Sequence, residues 1–135
     1  MILHVVNDQG GWGRGFVLAL SRRWPHVERD YRAWACGKMN PPFILGEVLI
    51  SAATPDIAVV HLLAQHGYKT TSNPVPLRYD ALQRCLEKAA TLARQLGASV
   101  HMPRIGAGLA GGDWTRIKAT IADAFKDVPV FIYIS

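Results

Sequence analysis

Apolar positions recur along this chain with two periods, one suited to strands and one to helices. Residues 2–6 form a short apolar run that ends at Asn7, which predicts a buried strand. Phe16, Val17, Leu20 and Trp24 then fall at helical spacing until Pro25, which breaks that helix and opens another through Tyr31 and Trp34. Pro41 and Pro42 make a connector. Residues 45–51 and 57–64 are apolar and β-branched, and Thr54-Pro55-Asp56 between them is a turn signature, so they predict a strand hairpin. Leu82, Cys85, Leu86, Ala89, Leu92, Ala93 and Leu96 repeat at three and four, giving an amphipathic helix over 79–96 that stops at Gly97. Residues 99–102 read as a strand, Asp113 as the N-cap of a helix carrying Trp114, Ile117, Ile121 and Phe125, and 130–134 as a last strand. The order β, α, α, β, β, α, β, α, β predicts an α/β fold, a single-domain mixed sheet of about five strands flanked by helices across 1–135.

Composition supports one globular core, since half of the 135 residues are hydrophobic and 19% are charged. No apolar stretch is long enough to cross a bilayer, and the first residues run into a polar turn without a basic region or a cleavage-like site. A soluble, cytoplasmic chain with no membrane partner is therefore expected. Cys36 and Cys85 are far apart and without neighbours of their kind, which argues against a zinc knuckle or a disulfide framework. A formal net charge of +5 favours anionic partners, but charge alone does not separate a nucleotide from a nucleic acid. Arg22, Arg23, Arg29 and Arg32 lie on a helical stretch and read as a solvated face.

Candidate chemistry concentrates in two glycine-rich turns, Asn-Asp-Gln-Gly-Gly-Trp-Gly-Arg-Gly at 7–15 and Met-Pro-Arg-Ile-Gly-Ala-Gly-Leu-Ala-Gly-Gly-Asp-Trp at 102–114. Each follows a strand and precedes a helix, where bare backbone N–H groups can close on an anion. In such sheets ligands collect beyond the carboxyl ends of the strands, so the two turns predict a phosphorylated ligand held from both sides. Neither turn matches the dinucleotide fingerprint or a nucleoside triphosphate loop, which disfavours hydride transfer and NTP hydrolysis.

These two segments resemble the ligand loops of macro domains, and the likeness extends to Leu45-Gly46-Glu47-Val48, to Arg78-Tyr79-Asp80 and to the Phe-Ile-Tyr-Ile at 131–134. The branch it resembles holds the terminal ADP-ribose glycohydrolases and the fungal ADP-ribose-1″-phosphate phosphatases, with the phosphatase-like Gly-Trp-Gly loop the better match. The resemblance implies a bound ADP-ribose whose diphosphate meets main-chain donors at Ile105, Gly106, Ala107, Gly108 and Leu109, with Asn7, Asp8, Gly10, Gly11, Trp12 and Gly13 around the distal ribose. A side chain at Gly106 would then crowd the diphosphate. Arg104 is either a phosphate binder or a member of a structural salt bridge, and Tyr133 or Phe131 either stacks the adenine or fills the core. Glycohydrolases of this branch use a lysine and an aspartate that correspond here to Pro76 and Ala110, so lysine-adduct chemistry is expected to be absent, and the register does not transfer that role to Lys69. Compared with the family, the chain also starts after the usual first strand and its Gly-Asp pair.

For catalysis the candidates are Asp8, His66 and His4, with Asp113 behind them. Asp8 is the chosen general base, against an alternative role as an Asx-turn stabiliser. Gln65 and His66 would project from the same sheet edge, where a neutral imidazole can move a proton near pH 7. His4 aligns with a histidine of the phosphatase branch or makes a core hydrogen bond. His26, His61 and His101 have no metal-ligand spacing, and neither metal nor cofactor is inferred. The sequence thus leaves a hydrolase acting on an ADP-ribose derivative, a noncatalytic ADP-ribose reader and, less favoured, a nucleic-acid binder; oligomeric state is left open.

Overall fold

In the computed structural model, which describes residues 1–134, the chain folds as β1 (Ile2–Asn7), α1 (Phe16–Arg23), α2 (Pro25–Ala35), β2 (Val48–Thr54), β3 (Ile57–Gln65), α3 (Tyr79–Leu96), β4 (Val100–Pro103), α4 (Trp114–Ala124) and β5 (Val130–Tyr133). The strands form one sheet in the order β2-β3-β1-β4-β5. β2 runs antiparallel to β3, and every other neighbouring pair is parallel. This is the mixed five-stranded sheet expected from the apolar pattern.

Both faces of the central strands are covered, which is why β1 and β3 read as nearly unbroken apolar runs. On one face Leu3, Val60, Leu62 and Ala64 pack with α3 and α4 through Leu82, Leu86, Ile117 and Ile121. On the other, Val6, Val59 and Leu63 meet α2 through Val27, Tyr31 and Trp34. α1 is held more lightly, since Leu20 alone of its eight residues is buried. Arg22, Arg23, Arg29 and Arg32 are exposed, as a solvated face requires. Beyond β1 the second face is barer, and Phe131 and Tyr133 of β5 stay 50% and 58% exposed. No helix among the described residues is long and apolar enough to cross a membrane.

One boundary departs from the apolar pattern. Residues 45–47 precede β2, because Gly46 takes a φ of +97° that no regular strand allows and the Arg84 guanidinium packs over it. The segment still follows β3, with Gly46 N donating to Leu63 O and Leu63 N donating to Glu47 O. α3 ends as predicted, with Gly97 in the left-handed region.

Leu86 is fully buried between α3 and the sheet. Leu86→Ala is expected to lower the unfolding free energy by about 3 kcal/mol, read from urea denaturation, with the transition remaining cooperative.

Candidate functional site

β1, β3, β4 and β5 end on the same edge, and their following loops enclose a cleft of two connected lobes of about 520 Å³ and 720 Å³. Val5, Arg14, Val17, Gln65 and Leu109 border both. The first lobe adds Asn7, Tyr68 and Lys69, and the second adds Arg104, the 105–108 backbone and Tyr133. The two glycine turns therefore face each other across open space.

The first turn is organised by Asn7. Its Oδ1 accepts from the backbone N–H of Gln9 at 3.0 Å and of Gly11 at 3.1 Å, while Tyr31 Oη donates to its carbonyl at 2.6 Å. That leaves Asn7 Nδ2 as its free donor on the wall of the first lobe. A Cβ at Gly11 would overlap the Tyr68 hydroxyl and crowd Asn7 Nδ2, so a side chain there would push the Tyr68 ring aside.

In the second turn some amides are spent internally. Ile105 N donates to Pro103 O, Gly111 N to Gly108 O and Gly112 N to Gly106 O. The amides of Gly106, Ala107, Gly108 and Leu109 have no acceptor among the described residues, and they border the cleft. Opposite them α1 begins at Gly15 without a side-chain cap or an acidic first turn, so its free N–H groups add to the positive field. Among the described residues no Asp or Glu lines either lobe, whereas Arg14, Lys69 and Arg104 do and none of the three has a carboxylate partner. The cleft is thus lined by free backbone dipoles and by three cations that the described residues leave without a carboxylate.

Several expected site residues lie elsewhere. Asp8 and His66 do pair, with His66 Nδ1 2.6 Å from Asp8 Oδ2, but neither borders the cleft. Asp8 Oδ1 also accepts from Gly67 N at 2.8 Å, so the carboxylate ties the first turn to the loop after β3. Partial burial works to raise its pKa, and the hydrogen bonds from His66 and Gly67 outweigh it and hold the carboxyl below its usual range.

His4 touches the second lobe but is only 2% exposed, and its Nε2 is bound to His61 Nδ1. Burial, with the neighbouring His61, pushes its pKa well below the ordinary value. Trp12 points inward, 5% exposed, against His4, Tyr31 and His61. Gly10 packs on Ala35 of α2 and does not border the cleft. Ile105 is a core side chain whose amide is already taken. Asp113 caps α4 by accepting from Thr115 N at 3.0 Å.

Other open alternatives close. Arg104 forms no salt bridge among the described residues; its guanidinium lies 5.8 Å from the Trp114 ring centroid at the cleft rim. Tyr133 is not core, and its hydroxyl is bound to His101 Nδ1 on the border of the second lobe. Phe131 stacks on His101 away from the cleft. Gly106 has a φ of +74°, and a Cβ there would meet Leu77 and Ile117, so a side chain would strain the turn and the core instead of crowding a ligand. Pro76 is buried off the cleft and its carbonyl accepts from His66 N, whereas Lys69, set aside on sequence register, borders the first lobe. Tyr68, which borders the same lobe, carries no sequence signal, because the loop after β3 has no periodic pattern. Arg14 was visible inside the first glycine turn and was passed over for its glycines. No gathering of three or more His, Cys, Asp or Glu side chains that could hold a metal occurs among the described residues.

No protein-family model matches the chain. A macrodomain protein from Streptomyces coelicolor is 46% identical over 98% of this chain and 85% of that one, with a TM-score of 0.84. A Bacteroides thetaiotaomicron protein of unknown function is 42% identical over 99% of this chain and 86% of its own, with a TM-score of 0.93. The chain belongs to the macrodomain family. Among curated relatives, mouse chromodomain-helicase-DNA-binding protein 1-like is 32% identical over 98% of this chain, which spans only 15% of that protein's length. An ADP-ribose 1″-phosphate phosphatase from Lodderomyces elongisporus is 24% identical over 99% of this chain and 86% of its own. The Thermosipho africanus DarTG structure, in complex with ADP-ribose, shares the fold at 16% identity over 99% of this chain and 37% of that one, with a TM-score of 0.79.

Burial of His4 and His61 makes stability depend on pH. Both are held neutral in the fold, His61 with a pKa lowered to about 3, while an unfolded histidine titrates near 6.5. Between those values the unfolded chain binds more protons, so stability falls as pH drops below 6.5 and is flat above about 7.5 for these groups. Melting temperatures followed from pH 8 to pH 4.5 are expected to show this decline. In the double variant His4→Leu with His61→Phe the decline is expected to shrink.

Proposed function

We propose that this chain binds ADP-ribose across the two lobes and removes a phosphate from the 1″ position of its distal ribose. The observation that carries the binding reading is the row of unpaired amides at 106–109 facing the uncapped start of α1, with Arg14 between the lobes. A diphosphate bridging those groups supplies the acceptors they lack. Tyr133 then stands at the end of the second lobe as a surface for the adenine, and Asn7 Nδ2 reaches the distal ribose in the first.

The finer reading rests on charge. Lys69 and Arg14 border the first lobe unpaired, so a further anionic group on the distal ribose is favoured there. The similarity to an ADP-ribose 1″-phosphate phosphatase supports the same substrate. In the reaction water adds to phosphorus, the phosphorus bond to the ribose oxygen breaks, and that oxygen leaves carrying a proton. Lys69 and Arg14 offset the charge on the transferring group, and Asn7 holds the ribose in place. One observation favours a second reading, a noncatalytic reader of ADP-ribose: among the described residues no Asp or Glu borders the cleft to activate the water.

Calorimetric titration with ADP-ribose, ADP and AMP tests the binding reading, and failure of all three to bind would overturn it. Gly108 has a Cβ position free of any atom within 4 Å and lies on the cleft, so Gly108→Val is expected to fold normally and bind ADP-ribose at least about tenfold more weakly. Lys69→Ala is expected to slow phosphate release from ADP-ribose 1″-phosphate by roughly tenfold or more while changing ADP-ribose affinity less than about threefold. If the wild type binds but releases no phosphate, the reader function stands in place of the hydrolase.

A further inference from the structure

A chain of buried polar atoms runs beneath the first glycine turn, and only His4 at one end of it touches the cleft. Ser51 Oγ lies 2.9 Å from His61 Nε2, and His61 Nδ1 lies 2.7 Å from His4 Nε2. The chain then stops. His4 Nδ1 and Trp12 Nε1 are both sealed from solvent without a partner, in rings that meet edge to face with centroids 5.4 Å apart. Buried polar atoms are nearly always paired, and leaving one unmade is costly. Two such atoms on adjoining rings mark a hydrogen bond that this position of the loop leaves open.

Proton bookkeeping decides whether the two can bond. An indole N–H only donates, so His4 Nδ1 must carry a lone pair. That holds when His4 donates from Nε2 to His61 Nδ1 and His61 donates from Nε2 to Ser51 Oγ. The opposite arrangement turns His4 Nδ1 into a donor and holds the rings apart. Ser51 therefore bears on the tautomer two rings away.

The turn is built to make the small movement required. Trp12 sits between Gly11 and Gly13, and a Cβ at Gly13 would meet nothing within 4 Å, so the backbone is free on the cleft side. The α1 helix that follows is held lightly, with Leu20 its one buried residue and Val17 packed beside it. Gly13 and Arg14 border the cleft, so a ligand drawing on them pulls on the residue that carries the indole.

We propose that Trp12 and His4 are positioning residues for ligand capture: closure of the first turn on ADP-ribose seats the Trp12 indole N–H on His4 Nδ1, with His61 and Ser51 fixing the tautomer that accepts it. This rests on the ADP-ribose reading of the cleft. The sequence suggested Trp12 as a ligand contact and His4 as a catalyst; here the two act on the ligand through the loop.

The indole proton and nitrogen resonance of Trp12, assigned among the four tryptophans by its loss in Trp12→Phe, reports the bond directly. On saturation with ADP-ribose the proton signal is expected to move downfield and its exchange with solvent to slow. Trp12→Phe is expected to bind ADP-ribose roughly five- to tenfold more weakly, the worth of one buried hydrogen bond. Ser51→Ala, which touches neither ligand nor loop, is expected to weaken binding about two- to threefold and to diminish the indole shift. An indole signal unmoved in a protein that binds the ligand overturns this inference and leaves the binding reading intact. A wild type that takes up no ADP-ribose overturns both. Should Trp12→Phe fail to fold, the wild-type resonance and Ser51→Ala still decide the matter.

Discussion

The geometry of the cleft depends on one carboxamide oxygen. Asn7 Oδ1 gathers the amides of Gln9 and Gly11 and so bends the chain away from the sheet just where β1 ends. Tyr31 fixes the same residue from α2, and the Asp8 carboxylate pins the outside of the bend to Gly67. With those contacts in place, Gly13 and Arg14 are carried to the cleft and the start of α1 is aimed across it. A buried, fully used acceptor at the strand end thus sets where the glycine run leaves the sheet.

The opposite wall has the reverse logic. Its short internal bonds, Gly111 to Gly108 and Gly112 to Gly106, close a loop too tight for the intervening amides to find partners. Gly112 makes that possible by resting against Leu77 and the carbonyl of Gly106, where a Cβ would collide with both. One wall is shaped by satisfied groups and the other functions by unsatisfied ones. The positive character of the cleft then owes as much to backbone dipoles as to the excess of Lys and Arg.

Most of the fold was legible because the apolar pattern is consistent at every level. Leu82 to Leu96 repeat at helical spacing on a helix whose inner face is buried, and β1 and β3 read as continuous apolar runs because helices cover both sides. The two turns were legible too, since glycine next to a strand end leaves few interpretations. Individual roles were not. Side-chain direction decides whether Trp12 meets ligand or core, and spacing cannot show that a ring turns inward beneath a loop. Asp8 and His66 are 58 residues apart and pair only once β1 and β3 lie side by side. Lys69 was set aside because it is out of register with the family's lysine, and only the path of the loop after β3 carries it to the first lobe.

The unpaired amides at 106–109 also have a kinetic meaning. Backbone hydrogens without an acceptor exchange with heavy water almost as fast as those of an unfolded chain, whereas those of the neighbouring β4 ladder are held. The empty protein thus carries a patch of rapid deuterium uptake within an otherwise ordered edge, and any molecule that settles into the cradle slows labelling there. That contrast gives a label-free way to screen unfamiliar compounds for occupancy without knowing what the cleft does to them.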